Sequence, residues 1–317
     1  MTSATLPTFP LVLGAMAFGT RMSEDASFAL LDRFVERGGL WIDTADCYSF
    51  WDSPTGHGGA SETVLGRWFS ARPGVRDQVR ISTKVGAEPL WPGSWPENRA
   101  GLSARAVRDA VAGSLDRLGV DTIDLLWLHM EDRSVPIEET VDALAELTAD
   151  GTAKRVGASN HPAWRIERAR AHAKRIGSLP IDAFQLNSTY LRARPGAPLP
   201  GVVHRFGGLN DEQRDYAIEH GIETWAYTPL LSGAYDNPEK SIADVYDHPG
   251  NARRLAVLDD IARERGLQRG QIVLAWLLAH GIRPILGGSR IDQLDTAMDA
   301  ALLTLTPEEV EAMDAPA

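Results

Sequence analysis

Gly39-Leu40-Trp41-Ile42-Asp43-Thr44-Ala45-Asp46-Cys47-Tyr48 decides the fold. A short apolar run ends on a carboxylate, and a tyrosine follows five positions later. Two further runs end the same way. Ile81-Ser82-Thr83-Lys84 closes on a lysine and Leu125-Leu126-Trp127-Leu128-His129 on a histidine. Apolar runs of this length between turn signals read as buried parallel strands. Parallel barrels build their active sites at strand C-terminal ends, so polar residues far apart in sequence meet in one pocket.

Working outward, the same unit recurs along the chain. Candidate strands are Leu11–Gly14, Trp41–Asp43, Val79–Lys84, Ile123–Leu128, Ala153–Ala158, Ala183–Gln185, Glu223–Ala226 and Arg283–Ile285. Helical patterns lie between them, with Ser or Asp starts and Gly stops. Ser23 caps a helix through about Glu36, and Ser103 opens one that Gly119 closes. Alternating strands and helices point to a parallel sheet with helices outside. Eight strands point to a closed (β/α)8 TIM barrel forming a single α/β domain over residues 1–317. The alternative is an open doubly wound sheet, but the Gly-rich phosphate turn expected after its first strand is missing. Long stretches at about 49–60, 189–209 and 231–250 follow strand ends and are expected to rim the barrel mouth.

Composition narrows the class. The chain has 317 residues, 44% of them hydrophobic, and 32 basic against 43 acidic residues give a net charge of −11. That acidity disfavours nucleic acid and anionic membranes as partners. No apolar run approaches the roughly 20 residues of a membrane helix. The N-terminal stretch lacks the basic start of a signal peptide. The single cysteine, Cys47, excludes an internal disulfide, which fits a cytoplasmic location.

Asp43, Tyr48, Lys84 and His129 form a set suited to protonating a carbonyl oxygen. Free tyrosine titrates near ~10, too high for efficient proton transfer at neutral pH. A neighbouring lysine cation lowers that value, and a carboxylate holds the lysine in place. The histidine orients the substrate oxygen. Taken singly, each has an ordinary structural reading as a cap, a surface residue or a satisfied polar group. Phe50 and Trp51 lie beside the tyrosine, either walling a substrate pocket or packing the loop. His57 and His204 fall in mouth loops, where solvent exposure is the common case, and Trp225 and Trp276 read as core.

These segments resemble the aldo-keto reductase superfamily. The resemblance runs in order through residues 39–48, Ser61-Glu62-Thr-Val-Leu-Gly66, Thr-Lys84, Asp124-Leu-Leu-Trp-Leu-His129, Gly157-Ala-Ser159-Asn160, Phe184-Gln185-Leu-Asn187, Tyr227-Thr-Pro-Leu230 and Pro284-Ile-Leu-Gly-Gly-Ser289-Arg290. It implies an NADP(H)-dependent oxidoreductase that reduces an aldehyde or ketone by direct hydride transfer. Tyr48 is then the proton donor, Lys84 lowers its pKa, Asp43 pairs with Lys84 and His129 orients the carbonyl. Ser159, Asn160 and Gln185 would hold the nicotinamide carboxamide and Tyr227 would stack on its ring. Gly19 and Thr20 would contact the cofactor by backbone. Ser289 and Arg290, at the start of the last helix pattern, would take the 2′-phosphate; otherwise Ser289 only caps that helix and Arg290 is solvated. Gln293 remains as an adenosine contact, but the Glu-Asn pair common in relatives is replaced by Asp295-Thr296. No metal is implied, and the chain can work as a monomer or a homo-oligomer. A cofactor-sensing regulatory subunit with little turnover is the rival reading, and a Schiff-base lyase using Lys84 is a further one.

Overall fold

The computed structural model describes residues 9–202 and 204–315. The first eight residues, where the reading of the N-terminus partly falls, and Val203 of the second mouth loop lie outside that range. Eight strands close into a parallel barrel in sequence order. They are β1 Val12–Gly14, β2 Trp41–Asp43, β3 Arg80–Val85, β4 Leu125–Leu128, β5 Val156–Ser159, β6 Ala183–Asn187, β7 Glu223–Tyr227 and β8 Ile282–Gly287. The ring closes where Val12 and Gly14 of β1 pair with Ile285 and Gly287 of β8. The helices are α1 Glu24–Glu36, α2 Ala60–Ala71, α3 Val75–Gln78, α4 Ala104–Leu118, α5 Ile137–Ala149, α6 Ala163–Ile176, α7 Asp211–Glu219, α8 Pro249–Arg265, α9 Arg269–Ala279, α10 Ile291–Ala300 and α11 Pro307–Asp314. No helix among the described residues is long and apolar enough to cross a membrane.

Two apolar layers result from the period-two alternation of strand side chains. Ile42, Ile81, Leu126, Leu128, Val156 and Phe184 point outward and pack beneath the helices. Val12, Trp41, Leu125, Trp127, Ala183, Trp225 and Ile285 fill the barrel itself. Trp225 meets Trp41 and Trp127 edge-on, each with ring centroids 5.2 Å apart. Gly157 makes room for this plug, since a Cβ there would lie 2.4 Å from the Trp127 ring. One pleat further along the same inward-facing rows stand Asp43, His129, Ser159, Gln185 and Tyr227, with Lys84 beyond Ser82 on β3. The polar set thus sits directly above the tryptophan plug, at the C-terminal ends of the strands.

The expected strands all form, Trp41–Asp43 with the ends expected and the other seven with shifted ends. β4 starts at Leu125, two residues later than the apolar run suggests. The carboxylate of Asp124 accepts the Ile81 N–H at 2.9 Å, so a side chain takes the place of a ladder bond there. Asp124 also binds Arg76 and Lys154, each at 2.8 Å, and this ion cluster joins the strand starts at the barrel floor.

Candidate active site

Lys84 is fully buried, and its ammonium donates to Asp43 Oδ2 at 2.5 Å and to the Thr44 carbonyl at 2.8 Å. The second oxygen of Asp43 accepts from Ser82 Oγ at 2.6 Å and from Gln185 Nε2 at 3.1 Å. Three partners, Thr44, Ser82 and Gln185, therefore fix one ion pair, and that density of hydrogen bonding is what makes a buried pair tolerable. Burial works against the lysine charge. The Asp43 carboxylate, together with Tyr48, outweighs it, and the ammonium's pKa is raised. Lys84 stays protonated at any working pH.

Tyr48 stands over this cation, with Nζ 4.6 Å from its ring centroid. The Lys84 cation acts in the direction the sequence predicts, lowering the phenol pKa. Burial pushes the phenol pKa up to about 12, and the Lys84 cation only partly opposes it. Tyr48 is therefore a neutral O–H held beside a charge, not a phenol tuned toward neutrality. His129 meets Tyr48 edge-on at 5.9 Å between ring centroids. Burial, with the Lys84 and Arg99 cations, holds its imidazole well below the usual histidine range. The ring is neutral, with one donor and one acceptor nitrogen. Its Nδ1 lies 3.5 Å from Cys47 Sγ.

A second polar group occupies the ends of β5, β6 and β7. Asn160 has φ +57°, and both of its amide protons are committed. Its Nδ2 donates to the His129 carbonyl and to Ser159 Oγ, both at 3.0 Å, and its Oδ1 accepts the Tyr227 hydroxyl at 2.9 Å. A non-glycine residue held at positive φ by several contacts is characteristic of functional sites. Among the described residues, the Ser159 hydroxyl has a proton not donated, and Gln185 Oε1 accepts nothing. One donor beside one acceptor complements a carboxamide, which offers one carbonyl and one NH2.

Across the mouth, Gly19 has φ +73°, and an added Cβ would meet Val64 at 2.9 Å, so the close approach there requires glycine. Thr20 bonds back to the Ala17 carbonyl at 3.2 Å. Ser289 and Arg290 are exposed where β8 leads into α10. Arg290, not Ser289, occupies the cap position of α10, and it makes no side-chain cap. Its guanidinium is forked on Asp292, at 2.9 and 2.7 Å. Gln293 is exposed one residue on. Asp295 is not free for an adenosine, because Arg33 binds it with both donors and Arg37 adds a third at 2.8 Å.

Three aromatic rings line the tyrosine side. Phe50 meets Trp51 at 4.9 Å and Trp95 at 5.5 Å, while Trp51 meets Tyr48 at 6.4 Å. Phe50 lies between Trp51 and Trp95, and Trp51 remains 45% exposed beside the phenol. Trp95 belongs to a connection the sequence reading passed over, the segment between β3 and α4, folded on itself by an antiparallel bridge of Pro89 and Arg99. The Arg99 guanidinium donates to the Pro96 carbonyl at 2.8 Å and the Glu131 carbonyl at 3.0 Å. The paired Trp-Pro steps in Trp91-Pro92-Gly93-Ser94-Trp95-Pro96 were the available signal for an ordered loop. Neither mouth histidine is simply solvated. His57 Nδ1 lies 3.0 Å from Glu88, and His204 Nε2 lies 2.7 Å from buried Glu131, which pins the second mouth loop to the end of β4.

A barrel that gathers aspartate, tyrosine, lysine and histidine above its strand ends defines a class of carbonyl oxidoreductase. The chain belongs to the Aldo/keto reductase family, whose pattern it matches over residues 10–316. It is 30% identical to norsolorinic acid reductase B of Aspergillus parasiticus, covering 98% of this chain and 81% of that one. It is 28% identical to versiconal hemiacetal acetate reductase of Aspergillus parasiticus, over 96% of this chain and 92% of that one. With an aryl-alcohol dehydrogenase of Pestalotiopsis microspora it shares 27% identity over 98% and 79%. The protein is thus an aldo-keto reductase enzyme that reduces carbonyl compounds, in a family that typically uses a nicotinamide cofactor.

Proposed function

We propose that the enzyme is an NADP(H)-dependent reductase of aldehydes or ketones, with Tyr48 as proton donor. The observation that carries this reading is the buried Lys84–Asp43 pair beneath the Tyr48 ring, with a neutral His129 edge-on to it. The nicotinamide supplies the hydride. The chain's own residues supply position and a proton. His129 hydrogen-bonds the substrate oxygen and fixes its orientation. As negative charge develops on that oxygen, Tyr48 gives up its hydroxyl proton, and the Lys84 cation stabilises the phenolate left behind. Asp43 keeps that cation in place. Because Tyr48 is a neutral acid in the resting protein, its O–H is present throughout the physiological pH range.

Ser159 and Gln185 complement a carboxamide, Asn160 locks Ser159 to Tyr227, and the Tyr227 ring would be the stacking surface for the nicotinamide. Gly19 and Thr20 line the opposite side. Arg290, with Ser289, takes the 2′-phosphate by exchanging Asp292 for it, and Gln293 lies beside the adenosine. The aromatic wall of Trp51, Phe50 and Trp95 favours a carbonyl carried on an aryl or other flat apolar group. One similar protein is an aryl-alcohol dehydrogenase, which supports that class. The test is NADPH oxidation with a panel of aryl and alkyl aldehydes and ketones, alongside Tyr48→Phe. We expect the variant to lose about a hundredfold or more in turnover, the size of a proton-donor contribution, with NADPH affinity kept. Equal loss of cofactor binding would remove Tyr48 from that role. Cofactor binding without turnover on any carbonyl would favour a sensing function instead.

A further inference from the structure

A neutral imidazole carries one ring proton, and the partner of one nitrogen decides which nitrogen holds it. His129 can hydrogen-bond a carbonyl oxygen only through a nitrogen that bears the proton. Among the described residues, the ring's one hydrogen-bond partner is Cys47 Sγ, 3.5 Å from Nδ1. Cys47 is 2% exposed and lies among Ala45, Ala87 and Met130, which offer its thiol no competing side-chain partner. A thiol is a weak donor and a weaker acceptor, whereas an unprotonated imidazole nitrogen is a good acceptor. An S–H directed at Nδ1 is therefore the better of the two pairings. Asp46 brings a carboxylate oxygen within 4.8 Å of both groups, yet neither of its buried oxygens has a hydrogen-bond partner. It makes no hydrogen bond to the ring or to the thiol.

We infer that the Cys47 thiol sets the tautomer of His129: its S–H donates to Nδ1, the single ring proton sits on Nε2, and Nε2 is the nitrogen offered to the substrate oxygen. Cys47 is thus a positioning residue, acting through His129 and touching no substrate. The inference rests on the proposed role of His129 in orienting the carbonyl. Burial, reinforced by Asp46 and Glu88, pushes the thiol pKa well up, so the S–H persists through neutral pH. The same effect makes Cys47 a poor nucleophile despite its place beside the proton donor.

The direct test is 15N NMR of the full-length protein labelled at histidine, with the His129 resonances assigned by difference against His129→Asn. The expected result is an unprotonated Nδ1 and a protonated Nε2 at neutral pH. A protonated Nδ1 would overturn the inference while leaving the proposed function intact, whereas an active Tyr48→Phe would overturn the function and leave the tautomer result standing. Cys47→Val fills the space without a donor; kcat should fall about five- to tenfold, the worth of one hydrogen bond, at unchanged KM for NADPH. Cys47→Ser restores a donor and should recover most of the loss. If valine and serine lose kcat alike, or if valine costs nothing, Cys47 only packs and the inference fails.

Discussion

Removing the Lys84 charge tests whether the ion pair holds the fold, the chemistry or both. At 2.5 Å the pair attracts with about 7 kcal/mol in an effective dielectric of about 20. Much of that is spent on desolvation, so the net worth of the pair is small, yet removing one partner leaves a buried charge at a cost of about 3–5 kcal/mol. Lys84→Met leaves Asp43 with only Ser82 and Gln185 as donors and should lose that amount of stability in urea unfolding. Adding Asp43→Asn removes the stranded carboxylate, and the double variant should return to within about 2 kcal/mol of the parent. Activity should behave oppositely. Both variants lack the cation that restrains the phenol pKa, already at about 12, so NADPH oxidation stays lost when stability is regained. A double variant that recovers turnover would refute the role of Lys84 in proton transfer. A single variant that loses less than about 1 kcal/mol would refute the burial argument.

Three further outcomes follow from the same geometry. Arg290→Ala should weaken NADPH about tenfold or more while leaving NADH nearly unchanged, as expected when a charge-assisted phosphate contact is lost; equal weakening in fluorescence titrations would show that Arg290 does not read the 2′-phosphate. Burial lowers the His161 pKa to about 4 against the bond its Nδ1 donates to the Ser159 carbonyl, so its neutral form contributes stability above about pH 6.5 that disappears as pH falls toward 4, up to about 3 kcal/mol. His161→Asn keeps a donor at the Nδ position and should flatten that acid limb of the unfolding curve; an unaltered limb would mean that His161 does not titrate there. Trp51→Ala should raise KM for aryl carbonyls several-fold with little change for short alkyl aldehydes, and equal effects on both would place Trp51 outside the substrate wall.

Much of this was legible in the sequence because strand alternation and site position are one signal. Trp41 and Asp43, or Leu125, Trp127 and His129, lie on one inward row whose lower members fill the barrel and whose upper members are polar. An apolar run ending on a charged residue therefore announces both strand and site. Strand starts were less legible, since Asp124 substitutes a carboxylate for a ladder bond inside what reads as a continuous run. The segment between β3 and α4 was missed because its order comes from tertiary contacts: Trp95 on Phe50, and Arg99 on the Glu131 carbonyl. The direction of the Tyr48 shift was likewise out of reach. It depends on how far burial outweighs one neighbouring cation, and sequence identifies the cation but not the burial.

The three edge-on indoles under the site come from β2, β4 and β7, so their contact exists only after distant parts of the chain have met. Such a chirally arranged cluster couples the rings' electronic transitions. It gives the near-ultraviolet circular dichroism a component tied to completion of the ring, while the far-ultraviolet signal follows the helices. Comparing the two signals during refolding separates a chain that has formed its βα units from one that has joined them, and Trp225→Phe, which removes the shared partner of both contacts, supplies the blank.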